Sequence, residues 1–317
     1  TMSFTTIAIQ NATVVTVSAS GITATSAISG GNITDDGNAA ITARGVCWGT
    51  TQNPTLANSF TTDGTGAGSF TSNISGLNNG TTYYARAYAT NSSGTAYGNQ
   101  ITFTTLIPCT SLTDSRDGNS YQAVQIGNQC WMAENLAYLP SVVGPGTGSV
   151  ATLYYYVYGY DGTVVADAKA TANYDTYGVL YNWSAAMNGA TSSSANPSGV
   201  QGVCPAGWHL PSDAEWTQLT DYLGGESLAG GKLKETGTTH WSSPNTATNE
   251  TGFTALPGGY RYYNGSFYNF GYYGYWWSAT EFSTSNAWDR SMLYSYSNVI
   301  RNSSNKEVGF SVRCVRD

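Results

Sequence analysis

Charged residues are scarce in this sequence. Of its 317 residues, 12 are Lys or Arg and 19 are Asp or Glu, which is 10%, whereas an ordinary soluble domain has about 25%. The formal net charge is −7, so the chain offers no basic field that would hold a phosphate backbone. This balance argues against nucleic acid as a partner and indicates a surface that is polar without being ionic.

Long apolar runs are also missing. No window approaches the roughly 20 apolar residues that a transmembrane helix needs. The first residues, Thr1 to Phe4, have neither the basic end nor the apolar run of a signal peptide. We therefore expect no transmembrane segment and no signal or anchor within this chain. The scarcity of lysine and the abundance of Thr, Ser and Asn suit an extracellular or cell-surface protein.

Glycine and aromatic residues are plentiful, with 37 Gly, 24 Tyr, 9 Trp and 9 Phe. The length predicts two domains of about 100–200 residues each. In the first, residues 1–107, short alternating runs are separated by Gly, Asn and Asp turn signals, which predicts a β-sandwich. The runs are Thr13–Val17, Ala40–Trp48, Thr82–Ala89 and Gln100–Thr104.

The second domain, residues 108–317, has a different pattern. Asp117-Gly118 and Gly127-Asn128 predict hairpin turns. Ser212 followed three residues later by Glu215 is a capping box, and apolar residues at helical spacing follow it, which predicts a helix over 213–223. A second helix is predicted over 179–187. The whole chain is therefore predicted to be mostly β, with an α+β second domain that has few helices.

The sequence from Gly76 to Arg86, in which Tyr83 follows Leu77 by six residues, resembles the tyrosine corner of fibronectin type III domains. With Arg44–Gly49 and Ala96–Thr105, this stretch makes residues 8–105 similar to the fibronectin-type-III-like modules of Bacteroidetes surface proteins. The resemblance implies a spacer, and the alternative is a module with a ligand site of its own.

Several motifs in the second domain occur in a characteristic order, and they resemble the Fibrobacter succinogenes major paralogous domain family over residues 110–317. The resemblance implies a C-type-lectin-like fold that displays a long, loop-rich C-terminal segment. The motifs are Gly127–Leu136, Leu180–Trp183, Cys204–Pro211, Gly258–Arg261, Trp276–Glu281 and Gly309–Asp317.

The four cysteines of the second domain allow three pairings. The resemblance, together with chain order, implies that Cys109 pairs with Cys130 and that Cys204 pairs with Cys314, which would require an oxidising compartment. Cys47, in a predicted strand of the first domain, is expected to be a buried free thiol.

A binding surface is predicted in the C-terminal segment. Of the 46 residues from Tyr260 to Asn305, 24 are Tyr, Asn or Ser, the types that antibody combining sites favour. We expect an adhesin or receptor-binding module that captures a glycan or a protein. The predicted ligand-binding residues are Tyr262, Tyr263, Asn264, Tyr268, Asn269, Tyr272, Tyr273, Tyr275, Asp289, Ser291, Tyr294, Tyr296, Asn298, Arg301 and Asn302.

Two further features of this segment lead to hypotheses about its structure and its origin. The alternation of Tyr294, Tyr296 and Asn298 predicts that these three residues share one face of a strand. Asn codons altered at their adenines give Tyr, Ser, Asp and Ile, and these types, with Asn itself, cluster at Asp289, Ser291, Tyr294, Ser295, Ser297, Asn298, Ile300 and Asn302. We therefore consider diversification by a retroelement as one interpretation, and a fixed, family-typical edge as the other.

A structural role is the main alternative function. The N-terminal strand predicted at Phe4–Gln10 would pair with an open sheet edge of a neighbouring copy and so build a surface filament through the first domain.

Catalysis and metal binding are not expected. The resemblance also implies a fold shared with formylglycine-generating enzymes. Those enzymes use two cysteines near the C-terminus, and here that region has only Cys314. His209 and His240 adjoin tryptophans and are predicted to be packed. No cofactor or metal is predicted. Oxygen-rich turns leave structural calcium as the alternative to turn capping, at Asp35–Asn38, at Asp114 with Asp117 and Asn119, and at Asn249-Glu250.

Overall fold

A computed structural model describes residues 8–316 of the chain. The chain divides after Pro108 into two compact units, one residue beyond the predicted boundary. The described residues form twenty strands and five helices, which confirms a mostly β protein with few helices. Among these residues, no helix is long and apolar enough to cross a membrane.

The first unit consists of two antiparallel sheets. One has the strand order β1-β2-β5, and the other has the order β4-β3-β6-β7 with β8 also paired to β6. The strands are β1 (Thr13–Ser20), β2 (Ser26–Asp35), β3 (Ala43–Gly49), β4 (Ser59–Phe60), β5 (Gly68–Ser75), β6 (Thr82–Asn91), β7 (Gly94–Tyr97) and β8 (Ile101–Thr104). Each of the four predicted runs contains or overlaps one of them.

The first unit has a single apolar core. Strand β5 alternates, so that Phe70 and Ile74 point inward while their neighbours face solvent. The hydroxyl of Tyr83 accepts a hydrogen bond from the backbone N–H of Asn78 at 3.0 Å, which ties β6 to the turn before it. Cys47 is a buried free thiol, as predicted, and burial raises its pKa to about 11.

The strand proposed for filament assembly, Phe4–Gln10, lies mostly outside the described residues. Ala8 to Gln10 are not in a strand, and the N–H of Gln10 donates to the carbonyl of Gly37. On β1, the N–H of Thr16 donates to the side chain of Asn99 at 3.0 Å. This side-chain bond occupies one of the backbone donors that an added strand would need.

The second unit contains the remaining elements. The strands are β9 (Leu112–Thr113), β10 (Ser120–Tyr121), β11 (Ala123–Ile126), β12 (Gln129–Met132), β13 (Tyr155–Tyr156), β14 (Leu180–Tyr181), β15 (Tyr260–Arg261), β16 (Phe267–Tyr268), β17 (Tyr273–Glu281), β18 (Asn286–Leu293), β19 (Val299–Asn305) and β20 (Val315–Arg316). The helices are α1 (Val165–Lys169), α2 (Ala172–Tyr177), α3 (Trp183–Met187), α4 (Asp213–Tyr222) and α5 (Glu226–Leu233). Both predicted hairpin turns are present, between β9 and β10 and between β11 and β12.

The predicted helices have different outcomes. Helix α4 confirms the prediction for 213–223, and both hydrogen bonds of the capping box between Ser212 and Glu215 are formed. The prediction for 179–187 is wrong in its first half, because Leu180 and Tyr181 form strand β14 and the helix begins only at Trp183. The N–H of Tyr181 donates to a carbonyl distant in sequence, so pairing with another segment replaces the helical bond.

Two apolar cores hold the second unit together. One contains the rings of Trp131, Trp216 and Trp276, and the other contains Trp277 and Phe310. The disulfides Cys109–Cys130 and Cys204–Cys314 are formed, which confirms the pairings that the family resemblance implied. The second bridge joins cysteines that are 110 positions apart in the sequence. It links Cys314, directly before β20, to the segment before α4.

The three-stranded sheet β17-β18-β19 is the frame of the predicted binding segment. Strand β18 lies in its centre, and the register pairs Tyr275 with Ser291 and Asp289 with Asn302. Because side chains alternate between the two faces, these four residues belong to one face of the sheet. The other face packs Trp276 and Met292 into the tryptophan core.

Candidate recognition surface

The hairpin of β15 and β16 carries the first part of the predicted surface. Its turn is closed by a hydrogen bond from the N–H of Tyr262 to the carbonyl of Ser266, with Gly265 at a φ of +85°. Arg261, which is fully buried, anchors the hairpin from below by donating to the carbonyls of Pro145, Thr147 and Glu307 at 2.7–3.0 Å. The tyrosines of the hairpin therefore stand on a fixed base.

The tyrosine rings of the hairpin contact one another. The ring centroid of Tyr260 lies 5.8 Å from that of Tyr268 and 6.0 Å from that of Tyr262. The ring centroids of Tyr262 and Tyr263 are 4.0 Å apart. Tyr263 is 52% exposed and Tyr268 is 40% exposed. Asn264 donates to the hydroxyl of Tyr268 at 3.1 Å, and this bond holds the pKa of Tyr268 below its usual value. We call Tyr260, Tyr262, Tyr263, Asn264 and Tyr268 the tyrosine face.

Two predicted site residues support this face rather than extend its surface. Tyr275 stacks on Phe310 at 4.9 Å and also contacts Tyr260, and its hydroxyl accepts a hydrogen bond from Asn269 at 2.7 Å. Burial raises the pKa of Tyr275. The prediction of Tyr275 and Asn269 as free ligand contacts is therefore corrected, since their polar atoms already bind each other. Tyr273 stacks on Tyr275 and is half-buried.

Asp289 and Ser291, predicted as ligand contacts, are buried in strand β18. Asp289 is 1% exposed, one of its carboxylate oxygens has no hydrogen-bond partner, and burial raises its pKa to about 7. A neighbouring Ser304 hydroxyl and the charge of Arg290 only partly oppose this shift. Neither residue is accessible, so both predictions are corrected.

Arg301 on strand β19 is engaged in an ion pair. Arg301 donates to both carboxylate oxygens of Asp213, at 2.8–3.1 Å, and its guanidinium lies 3.5 Å from the ring centroid of Trp288. Asp213 also binds the fully buried Arg290 at 2.7 Å, and this set of contacts lowers the pKa of Asp213 against the effect of its own burial. Asn302 is exposed on β19.

The prediction of a shared strand face for Tyr294, Tyr296 and Asn298 is wrong. These residues form the connection between β18 and β19. Their backbone folds around the ammonium group of Lys234, which donates to the carbonyls of Leu293, Tyr294 and Tyr296 at 2.7–3.0 Å. Such a turn satisfies three carbonyls at one buried donor group, which an extended strand would not allow.

Lys234 itself is 1% exposed, and burial lowers its pKa to about 8. The same connection also contacts helix α5, where the N–H of Gly231 donates to the carbonyl of Ser297. A Cβ on Gly230 would approach the carbonyl of Asn298 far too closely, which explains a glycine inside this helix. Tyr294 is linked to Tyr272 by a backbone hydrogen bond and an edge-on ring contact of 5.4 Å.

Nine of the fifteen predicted residues fall into three groups. Tyr262, Tyr263, Asn264 and Tyr268 come together with Tyr260, which lies in the predicted segment but was not among its predicted ligand-binding residues. Tyr272 and Tyr294 form a separate ring pair. The third group is exposed and consists of Tyr296, in the turn between β18 and β19, with Arg301 and Asn302 on β19. A further ring cluster was missed because its members are far apart in sequence, namely Tyr158 with Phe267 and Phe270 at 4.7–4.8 Å.

The predicted histidines and oxygen-rich turns have structural partners. His209 contacts Glu215 at 2.5 Å, and His240 contacts Glu235 at 2.9 Å. Asp35 and Asp114 accept hydrogen bonds from backbone N–H groups two residues further on, which confirms turn capping at these two turns. Within residues 8–316, no group of three or more His, Cys, Asp or Glu is placed to hold a metal ion.

These features define a class: a disulfide-bonded, mostly β protein of two units, the second of which presents an aromatic hairpin. Residues 124–316 match the model of the Fibrobacter succinogenes major domain, and the chain belongs to that family. No curated protein matches the sequence.

Solved structures resemble parts of the chain at a low level. The sensor domain of the anti-sigma factor RsgI4 from Pseudobacteroides cellulosolvens is 21% identical, with 32% of this chain and all of that one covered and a TM-score of 0.25. Titin domains A168–A170 are 20% identical over 29% of this chain and 30% of theirs, with a TM-score of 0.22. The twitchin kinase region of C. elegans is 14% identical over 52% of this chain and 30% of its own, also at 0.22.

Proposed function

We propose that this chain is an extracellular or cell-surface binding protein whose tyrosine face captures a glycan or a protein without covalent chemistry. One observation carries the proposal. Four tyrosine rings contact one another on a hairpin that is anchored from below by Arg261, and the outer two rings remain largely exposed. Rigid, partly exposed aromatic rings with hydroxyls provide contact area at low entropic cost.

The two disulfides support the proposed location, because such bonds persist in oxidising compartments. The disulfide of Cys314 also supports a non-enzymatic role, since it leaves no free cysteine pair for oxidase chemistry. We propose the filament role only as a second function, to be tested by sedimentation at rising protein concentration. Growth of the sedimenting species would favour it.

The direct test replaces both exposed rings of the tyrosine face. The double variant Tyr263→Ala/Tyr268→Ala should lose capture of ligands on an array of glycans and cell-surface proteins, while its thermal stability stays close to that of the unmodified protein. Tyr222→Ala is the matched control, because Tyr222 is 66% exposed on helix α4 and belongs to no ring cluster of this face. Unchanged capture by the double variant would contradict the proposal.

Diversification remains a proposal that sequencing of this locus in its source population would test. Burial sets the expected pattern, because variation at Asp289 and Ser291 would disturb the sheet. If this segment is diversified, we expect variation at the exposed Tyr296 and Asn302 and little at the two buried positions. A uniform low rate would favour a fixed binder.

A further inference from the structure

Several stretches of the second unit, among them residues 176–208, contain no Asp, Glu, Lys, Arg or His, and two of them meet at the tyrosine face. Residues 141–160 and 262–280 contain no Asp, Glu, Lys, Arg or His, in a chain where 10% of residues are charged. The first stretch carries β13, and the second carries β16 and most of β17.

Parts of these two stretches, including β13 and most of β17, are buried, and their more exposed parts adjoin each other. The ring of Tyr158 contacts Phe267 and Phe270 at 4.7–4.8 Å, which joins the first stretch to the hairpin. At the turn, Gly265 packs directly on Gly146, since a Cβ there would lie 2.9 Å from the Cα of Gly146. The tyrosine face therefore continues into a neighbouring stretch that is also without charge.

The charged groups next to the face are buried or half-buried. Arg261 is fully buried and donates to three backbone carbonyls. Glu307 lies at the margin, where its carboxylate faces Gly148 beside the guanidinium of Arg261. Asp289 is buried under the neighbouring sheet. Arg261 and Asp289 are therefore not accessible to a ligand on the tyrosine face, and Glu307 is half-buried.

A charged ligand would lose hydration on this surface without gaining a counter-charge, and that loss is costly. A protein epitope of standard size would also bring charged residues, which make up about 25% of an ordinary domain. An uncharged ring with hydroxyl groups fits better. Its C–H faces would pack on tyrosine rings, and its hydroxyls would bond to the phenols and to the amide of Asn264.

We propose, on the basis of the binding function above, that the ligand of the tyrosine face is a neutral saccharide. The test measures binding to neutral polysaccharides (galactomannan, xylan and mixed-linkage β-glucan) and to anionic ones (polygalacturonate and heparin) by affinity electrophoresis. At least one neutral polysaccharide should bind, with an affinity that changes by less than about twofold between about 0.05 and 0.5 M salt. Tyr263→Ala/Tyr268→Ala should weaken it by at least about tenfold.

Charge placed on the face sharpens the test. Asn264 is exposed, so Asn264→Asp and Asn264→Lys add opposite charges beside Tyr268 without burying either. A neutral saccharide should be affected by both variants in the same direction and to a similar extent. Opposite effects of the two variants on the same probe would show an ionic ligand and overturn the proposal.

The outcomes separate this proposal from the binding function. Binding of only anionic polysaccharides or of a protein, if lost in the double tyrosine variant, would overturn the neutral ligand and retain the tyrosine face as a binding surface. Binding of a neutral polysaccharide that the double variant keeps would overturn both. Failure of every neutral polysaccharide to bind would overturn the neutral saccharide.

Discussion

The two parts of the predicted binding segment have opposite environments. In the hairpin part, residues 260–275, tyrosine rings contact one another and the outer rings remain exposed. In the strand part, residues 289–302, Asp289 and Ser291 are buried, Arg301 is paired with Asp213, and the connecting turn encloses Lys234. Polar and aromatic side chains thus remain partly exposed in one part and are buried or paired in the other, and their partners decide which.

The difference between the two parts can be tested by substitutions. Changes in the strand part should act mainly on folding, and changes in the hairpin part should act mainly on binding. The expected effects on the free energy of unfolding decrease from the buried ion pair to the exposed rings.

The largest effect is expected at Asp213. Asp213→Asn leaves the buried guanidinium of Arg290 without its counter-charge, and breaking a buried ion pair in this way costs about 3–5 kcal/mol. Urea denaturation would measure the loss. Asp221→Asn, an exposed acid at the other end of the same helix, is the control and should change stability by less than about 0.5 kcal/mol. An equally small change in the free energy of unfolding for Asp213→Asn would contradict the expectation that substitutions in the strand part act mainly on folding.

Asp289 should give an effect of the opposite sign that depends on pH. Its folded-state pKa of about 7 lies above the ordinary 3.8, so the stability that it contributes is fully present below about pH 4 and is lost as the pH rises through 7. Asp289→Asn should therefore stabilise the protein near pH 8, by up to about 4 kcal/mol, and have little effect near pH 4.

Unfolding curves at the two pH values would measure the effect at Asp289. Asp175→Asn, at an exposed position on helix α2, is the control variant. Equal effects of Asp289→Asn at both pH values would argue against a raised pKa for this carboxyl group.

Lys234 tests the turn between β18 and β19. Lys234→Met removes the donor shared by three carbonyls, and we expect a loss of about 1–3 kcal/mol in stability together with faster amide exchange in residues 294–298. Binding at the tyrosine face should stay within about twofold. Lys232→Met is the control, because Lys232 is partly exposed in the last turn of helix α5, two residues before Lys234. A strong loss of binding in Lys234→Met would indicate that the turn between β18 and β19 takes part in ligand binding.

The smallest effect on stability is expected for the exposed rings. Tyr263→Ala/Tyr268→Ala should change the free energy of unfolding by less than about 1 kcal/mol. Tyr275→Ala removes a ring that stacks on Phe310, and it should cost about 3 kcal/mol or more. Thermal denaturation of both variants would compare them directly. Similar losses would mean that the outer rings are part of the core.

Much of the fold was predictable because its signals are local. The capping box at Ser212 and Glu215 defines the start of α4, and the turn at Gly127-Asn128 defines a hairpin. Helix α3 was predicted too early because the pairing of Tyr181 with a distant segment overrides local apolar spacing. Helix α5, with two glycines, has weak intrinsic propensity, and its glycines are explained only by contact with the β18–β19 turn.

The candidate site was predictable only in part. The density of tyrosine identified the hairpin, but composition carries no information on partners. The burial of Asp289 depends on its register in a central strand, and the turn at Tyr294–Asn298 depends on a lysine about 60 residues earlier. Tyr158 contacts the hairpin from over 100 residues away, and no local pattern reveals it.

The outer tyrosines of the hairpin are expected to contact the ligand, while other tyrosines hold the fold. Fluorine NMR of the protein labelled with 3-fluorotyrosine, titrated with a neutral polysaccharide fragment that binds, tests this most directly. We expect the resonances of Tyr263 and Tyr268 to shift and those of the buried Tyr156 and Tyr181 to stay unchanged. Unshifted Tyr263 and Tyr268 resonances at ligand saturation would contradict this expectation.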